Sequence, residues 1–191
     1  MISNSYNLWV LVGIFFFSSC TFEKPEEPDP RRRKSPIAIA SVKHENTYVK
    51  VVYGQPYKRG REIFGDLIPY DEVWRTGANE ATELTTTGPI RFAGKRVEPG
   101  TYTLFTIPRE DQFTVILNKE LGQWGAFEYD QSHDLLRTEV PTYRTDDVTE
   151  VFTIRFSDIV NDSTSIVMNW NQTRIEIPVQ FPAGEKATSQ P

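Results

Sequence analysis

Thr101-Tyr102-Thr103-Leu104-Phe105-Thr106-Ile107 and Phe113-Thr114-Val115-Ile116-Leu117 flank the polar break Pro108-Arg109-Glu110-Asp111-Gln112. Both runs are rich in β-branched and aromatic residues, whose side chains suit a pleated, half-buried surface. Alternation in the first run puts Tyr102, Leu104 and Thr106 on one face. The break between the runs has the length of a hairpin connection. The reading is therefore two antiparallel strands joined by a loop.

The same grammar extends in both directions. Upstream, Ile37-Ala38-Ile39-Ala40-Ser41-Val42-Lys43 and Thr47-Tyr48-Val49-Lys50-Val51-Val52-Tyr53 flank His44-Glu45-Asn46 at hairpin-like spacing. Thr82-Glu83-Leu84-Thr85-Thr86 is a further strand, and Ile90-Arg91-Phe92 and Lys95-Arg96-Val97 surround the tight turn Ala93-Gly94. Downstream, strands are expected at residues 135–140, 151–156, 165–170 and 173–179, with Asn161-Asp162 and Asn171-Gln172 as turns. Two long segments keep no period: residues 57–73, with one short helical turn near Asp71, and residues 119–133. Ile63, Phe64, Leu67 and Ile68 pin the first of them to the core, since a loop so apolar would otherwise be exposed. No heptad and no helical stripe of useful length occurs. About ten short strands at turn spacing predict an all-β fold, an antiparallel β-sandwich or jelly roll with two long ordered loops. A flattened barrel is the alternative.

A chain of 191 residues carries one domain of this kind. Aromatics at 13% supply a sizeable core although only 38% of residues are hydrophobic. A net charge of −5 argues against wholesale nucleic-acid binding. The basic run Arg31-Arg32-Arg33-Lys34 lies in a Pro-rich segment and reads as a solvated tether.

The N-terminal residues are read as targeting, not fold. Residues 8–17 form an apolar run of signal-peptide length, too short to span a bilayer easily. It ends in Ser18-Ser19-Cys20, which holds the single cysteine of the chain. This ending resembles the lipobox of bacterial lipoproteins, although Phe17 stands where Leu is usual and no Lys or Arg precedes the run. The resemblance implies lipidation at Cys20; an uncleaved anchor or a plain secretory signal are the alternatives. The expected organisation is a signal peptide at 1–19, a Pro-rich charged tether at 20–36, a β-sandwich at 37–181 and a loose tail at 182–191. Thr21 after the cysteine, in place of the Asp used for inner-membrane retention, favours the outer membrane. The acidic cluster Glu23, Glu26 and Glu27 is a compositional hint of surface export. One cysteine also excludes a disulfide within the chain.

Tyr53-Gly54-Gln55-Pro56, Gly60-Arg61-Glu62-Ile63-Phe64-Gly65, residues 73–82, residues 99–108 and Asn118 followed by Gln123-Trp124-Gly125 resemble the bacterial family called domain of unknown function 2911. The resemblance runs over residues 37–179 in order. It implies a secreted or lipid-anchored bacterial domain and brings with it no activity, cofactor or catalytic residue. Function is therefore read from the residues.

Several chemistries are missing. The sequence has no Gly-x-Ser-x-Gly elbow, no phosphate-cradling Gly-rich loop and no His-Glu-x-x-His, and its two histidines, His44 and His133, lie far apart. No cofactor and no metal is called for. Two candidate regions remain. In Trp74-Arg75-Thr76-Gly77-Ala78-Asn79-Glu80, Arg75 can fork onto a carboxylate, Asn79 can donate and accept, and Glu80 can accept or act as a base. The competing structural reading packs Trp74 in the core and joins Arg75 to Glu80 as an internal ion pair. In Gln123-Trp124-Gly125, followed by Tyr129, an indole beside amides suits a sugar ring or a peptide, or else plugs the end of the sandwich. Tyr53, Arg59, Arg61 and Asp130 join a common cleft if the two long loops meet at one end of the sandwich. The function expected is a lipid-anchored envelope domain that binds a small ligand, glycan, peptide or protein partner. A carboxylate-pair hydrolase using Glu80 with Asp130 or Asp134, and a purely structural envelope component, are the alternatives.

Overall fold

The structure, a computed structural model, describes residues 33–182. The expected signal peptide, Cys20, the tether as far as residue 32 and the tail from residue 183 lie outside the described residues. The fold is all-β. Its strands are β1 (Ile37–His44), β2 (Thr47–Gly54), β3 (Thr82–Thr86), β4 (Ile90–Phe92), β5 (Lys95–Val97), β6 (Gly100–Pro108), β7 (Gln112–Asn118), β8 (Asp134–Phe156) and β9 (Ser163–Gln180). A 3-10 turn at Gln131–His133 precedes β8. No short helix forms near Asp71; the chain makes a turn there instead, with Asp71 at φ 62°.

The strands form one antiparallel sheet in the order β1-β2-β3-β6-β7-β8-β9-β4-β5, with β1 and β5 as free edges, so the barrel alternative does not hold. The sheet is sandwich-like because β8 serves two neighbours in succession. Residues 134–141 pair with β7, whereas residues 142–156 pair with β9. Beyond that handover the chain lies across from the first strands. Val49, Val51, Leu84 and Leu104 of one half share a core with Phe152, Ile166, Met168, Ile175 and Val179 of the other. The Tyr53 hydroxyl crosses the same gap, accepting from Ile154 N at 2.9 Å and donating to Ile154 O at 3.3 Å.

Nine strands stand where the sequence suggests about ten, because four of the segments read separately are two long strands. Residues 135–140 and 151–156 both belong to β8, and residues 165–170 and 173–179 to β9. The polar middle of β8 imitates a loop in sequence, since most of residues 141–150 are exposed. Asn171 takes the left-handed conformation at φ 53° but lies opposite Thr149 at a register shift, so it bends β9 without ending it. Asn161-Asp162, at φ 49° and 57°, does make the turn between β8 and β9.

β6 is buried on both faces. Leu104 points into the main core, while Phe105 and Ile107 join Ile116 and Ala81 in a smaller cluster covered by Val73, Ala126 and Tyr129. The second loop, with Val73 at the end of the first, thus covers the outer face of β6 and β7, whereas Ile63, Phe64 and Ile68 of the first loop pack into the main core and Leu67, expected there too, is exposed.

Candidate functional site

The first loop is held by backbone pairing. Trp74 bridges Thr106 through N to O contacts of 2.7 and 2.9 Å, which continues the sheet beyond the end of β3. The chain then turns sharply. Thr76 and Asn79 lie at φ 55° and 65°; Asn tolerates that region, but for a β-branched residue it is strained. The strain is held by a buried network: Thr76 Oγ1 reaches Thr106 Oγ1 at 3.1 Å, Thr82 Oγ1 donates to Thr76 O at 2.8 Å, and Trp74 Nε1 donates to Gly77 O at 3.1 Å. Gly54 sits against this turn. A Cβ built on it would lie 2.0 Å from Ala78 O, so no other residue fits.

This turn forms one wall of a cleft of about 420 Å³. Lys34 and Ser35 before β1, Pro56, Tyr57, Arg59 and Arg61 after β2, and Leu67, Ile68 and Pro69 complete the walls, and Trp170 of β9 joins Trp74 in the lining. The two indoles are stacked, with centroids 5.9 Å apart and planes at 19°. Lys34, Arg59, Arg61 and Arg75 line the cleft, and among the described residues Glu72 is its single carboxylate. Arg61 is turned back onto the carbonyls of Lys58 and Tyr57, and Arg59 lies 5.7 Å from the Tyr57 ring centroid. Among the described residues Arg75 has no ion-pair partner, and its Nε is buried with nothing to donate to. Burial pushes its guanidinium below the ordinary value. The indole Nε1 of Trp170 is likewise buried without an acceptor. The cleft is rich in donors and poor in acceptors.

The sequence pairs Arg75 with Glu80, and the structure does not. Glu80 accepts both guanidinium nitrogens of Arg33, from Nη1 at 2.8 Å and from Nη2. Arg33 holds the Glu80 carboxyl below its ordinary value of 4.5, mainly through those hydrogen bonds. Residues 33–36, read as tether, thus lie on the domain; Pro36 O also accepts from Gln55 N at 2.8 Å.

The two candidate regions meet, but they do not share one cavity. Ala81 N donates to Gln123 O and Gly125 N to Asn79 O, each at 2.9 Å, and Glu80 bridges Trp124. Trp74, Arg75 and Asn79 line the cleft, whereas Glu80 and Gln123 line a separate groove of about 220 Å³ with Ile37 and Tyr53. Trp124 stands on the surface. Tyr129 is scaffold: its ring packs on Phe105, and its hydroxyl donates to Asp134 Oδ2 at 2.8 Å and accepts from Arg137 Nη2. Asp130 accepts from Ser132 N, and Asp134 is occupied by Asn118, Tyr129 and Arg137, so neither acid faces Glu80 across a cleft. Arg59 and Arg61 do join Arg75, but through the first loop alone: Tyr53, Tyr129 and Asp130 do not line that cleft. Lys34 and Trp170 escape the sequence reading, the first because it sits in a basic run and the second because it reads as an ordinary core position. A wider depression of about 680 Å³ is lined by Lys58 and Arg144 against Glu62 and Glu110, so its charges balance.

Fold and cleft together define an all-β domain in which the first long loop, the turn that follows it and the residues before β1 frame a cationic, donor-rich pocket against stacked indoles. Over residues 35–179 the chain matches the family described as a protein of unknown function, DUF2911, and it belongs to that family. No curated protein and no solved structure matches it.

Proposed function

We propose that this is a lipid-anchored domain of the bacterial cell envelope that binds a small ligand through a carboxylate, phosphate or comparable acceptor group. One observation carries the reading: Arg75 and Trp170, whose Nε and Nε1 are buried without acceptors, both line the cleft, beside three further cations and one carboxylate. A buried donor left unpaired costs about 1–3 kcal/mol, more when charged, and an anionic ligand would offset that cost. The strained left-handed Thr76 beside Arg75 agrees, since such strain collects at ligand clamps. The apolar wall of Leu67, Ile68 and Val73 suits a ligand with a carbon body, and an acidic sugar falls within the class. A single carboxylate in the cleft does not favour the two-acid hydrolase, which works with carboxyl groups about 5–10 Å apart.

The test is a thermal-shift and calorimetric titration of the protein with simple carboxylates, phosphates and uronic acids, run in parallel on Arg75→Met. At least one class of anion should stabilise and bind the wild type and lose both effects in the variant. No response to any anion, or an equal response from both proteins, would overturn the proposal.

A further inference from the structure

We propose that the loop of residues 119–130 docks on a lipid bilayer, with Leu121, Trp124 and Phe127 entering the interfacial layer beside the chain's own anchor. These side chains are 49%, 58% and 84% exposed, three large apolar groups within seven residues. Their exposure is built in. Gly122 N donates to Glu83 Oε1 at 3.1 Å, and Gly125 N to Asn79 O at 2.9 Å. Asn118, fully buried beneath the loop, ties Glu120 N and Asp130 O together. The apolar groups are thus held outward on a fixed frame, and burying them costs little ordering entropy.

The occupant follows from where the rest of the chain enters. Arg33 is clamped to Glu80, and Glu80 bridges Trp124 itself. Ile37, 54% exposed, shares a groove with Gly122 and Gln123. The N-terminal segment therefore reaches the domain on the side that presents the exposed loop. The thirteen residues from Cys20 to Arg32 reach at most about 45 Å, so a chain anchored at Cys20 keeps this loop close to the membrane. Trp is the side chain best suited to the headgroup boundary, with an apolar ring and one donor. Glu120 and Glu128 within the loop and Glu83 beneath it are matched in sequence by the basic run Arg31-Arg32-Arg33-Lys34, whose Arg33 already offsets Glu80, so these charges leave no excess of either sign and the surface tested is zwitterionic. The geometry rests on anchoring at Cys20, and the experiment separates the two ideas.

The full chain, carrying Trp9→Phe and purified from membranes, is reconstituted into phosphatidylcholine/phosphatidylethanolamine vesicles with brominated acyl chains. Trp74 and Trp170 are buried, so lipid contact reads Trp124. Part of the emission should be quenched. That part should disappear in Trp124→Phe and shrink in Leu121→Ser/Phe127→Ser. Protein that floats with the vesicles but is not quenched, or is quenched equally after Trp124→Phe, would sink the docking proposal and leave the anchor standing. Protein that does not float with the vesicles would remove both.

Discussion

Replacing Arg75 by Met keeps most of the hydrophobic stem and removes a half-buried guanidinium that has no carboxylate partner among the described residues. Truncating one member of a buried ion pair costs about 3–5 kcal/mol, but there is no such pair here to break. The expected outcome is a melting temperature equal to or above that of the wild type, together with loss of anion binding; a large drop would mean that Arg75 is scaffold. Glu80→Gln behaves differently. The Arg33 clamp depresses the Glu80 carboxyl, so its stabilisation is present above the ordinary value of 4.5 and is lost as pH falls through the lower folded value. The pair is substantially exposed, so the difference between wild type and variant at neutral pH should be small. It should vanish in melts recorded at progressively more acidic pH. The residue scale is where sequence says least. Arg75 and Glu80 are near neighbours with opposite charge, yet the partner chosen lies 47 residues away, a distance no local spacing reveals.

Among the elements, the hydroxyl of Tyr53 ties β2 to β8 across the core. Tyr53→Phe leaves Ile154 N without its 2.9 Å acceptor in a buried place, so a loss of about 1–3 kcal/mol is expected in denaturant melts. Gly54→Ala drives a methyl into Ala78 O, which is backbone and cannot swing aside. That should cost about 1–3 kcal/mol or more and should also disturb the cleft, because Ala78 lines it. A variant as stable as wild type would show that the turn can shift. β1 to β7 are legible in sequence because each combines β-forming residues with clear turn signals, such as Ala93-Gly94 at φ 48° and 79°. β8 is not, because its middle lies outside the core and carries polar residues, so Thr142 through Glu150 reads as a loop although it is strand, with Thr142, Tyr143, Arg144 and Thr149 paired to β9. Trp170 is missed for a related reason: nothing in a strand sequence tells which core residue also borders a cavity.

For the molecule as a whole, the described span is expected to fold alone, as the sequence anticipates for residues 37–181, and starting at Arg33 should serve it better. Residues 33–182 should melt in one cooperative step, and a shorter chain beginning at Ile37 should melt lower and bind anions more weakly, since Lys34 and Ser35 line the cleft. Equal melts and equal binding would show that these residues are passive.

The clamp at the domain's entrance also has a mechanical meaning. β1 is an edge strand whose backbone pairs with β2 alone, and its first residue pairs with Gly54, the last of β2. A tug arriving from the N-terminal side would peel such a strand bond by bond, like a zipper opened from its end. Arg33 on Glu80, and Gln55 N on Pro36 O, take up that load before it reaches Ile37. The first routes it into the turn that Trp74 fastens to Thr106, in the interior of the sheet, and the second into the end of β2. In a single-molecule pull from the N-terminus, Glu80→Gln should therefore give way at lower force than wild type, although the two barely differ in a thermal melt.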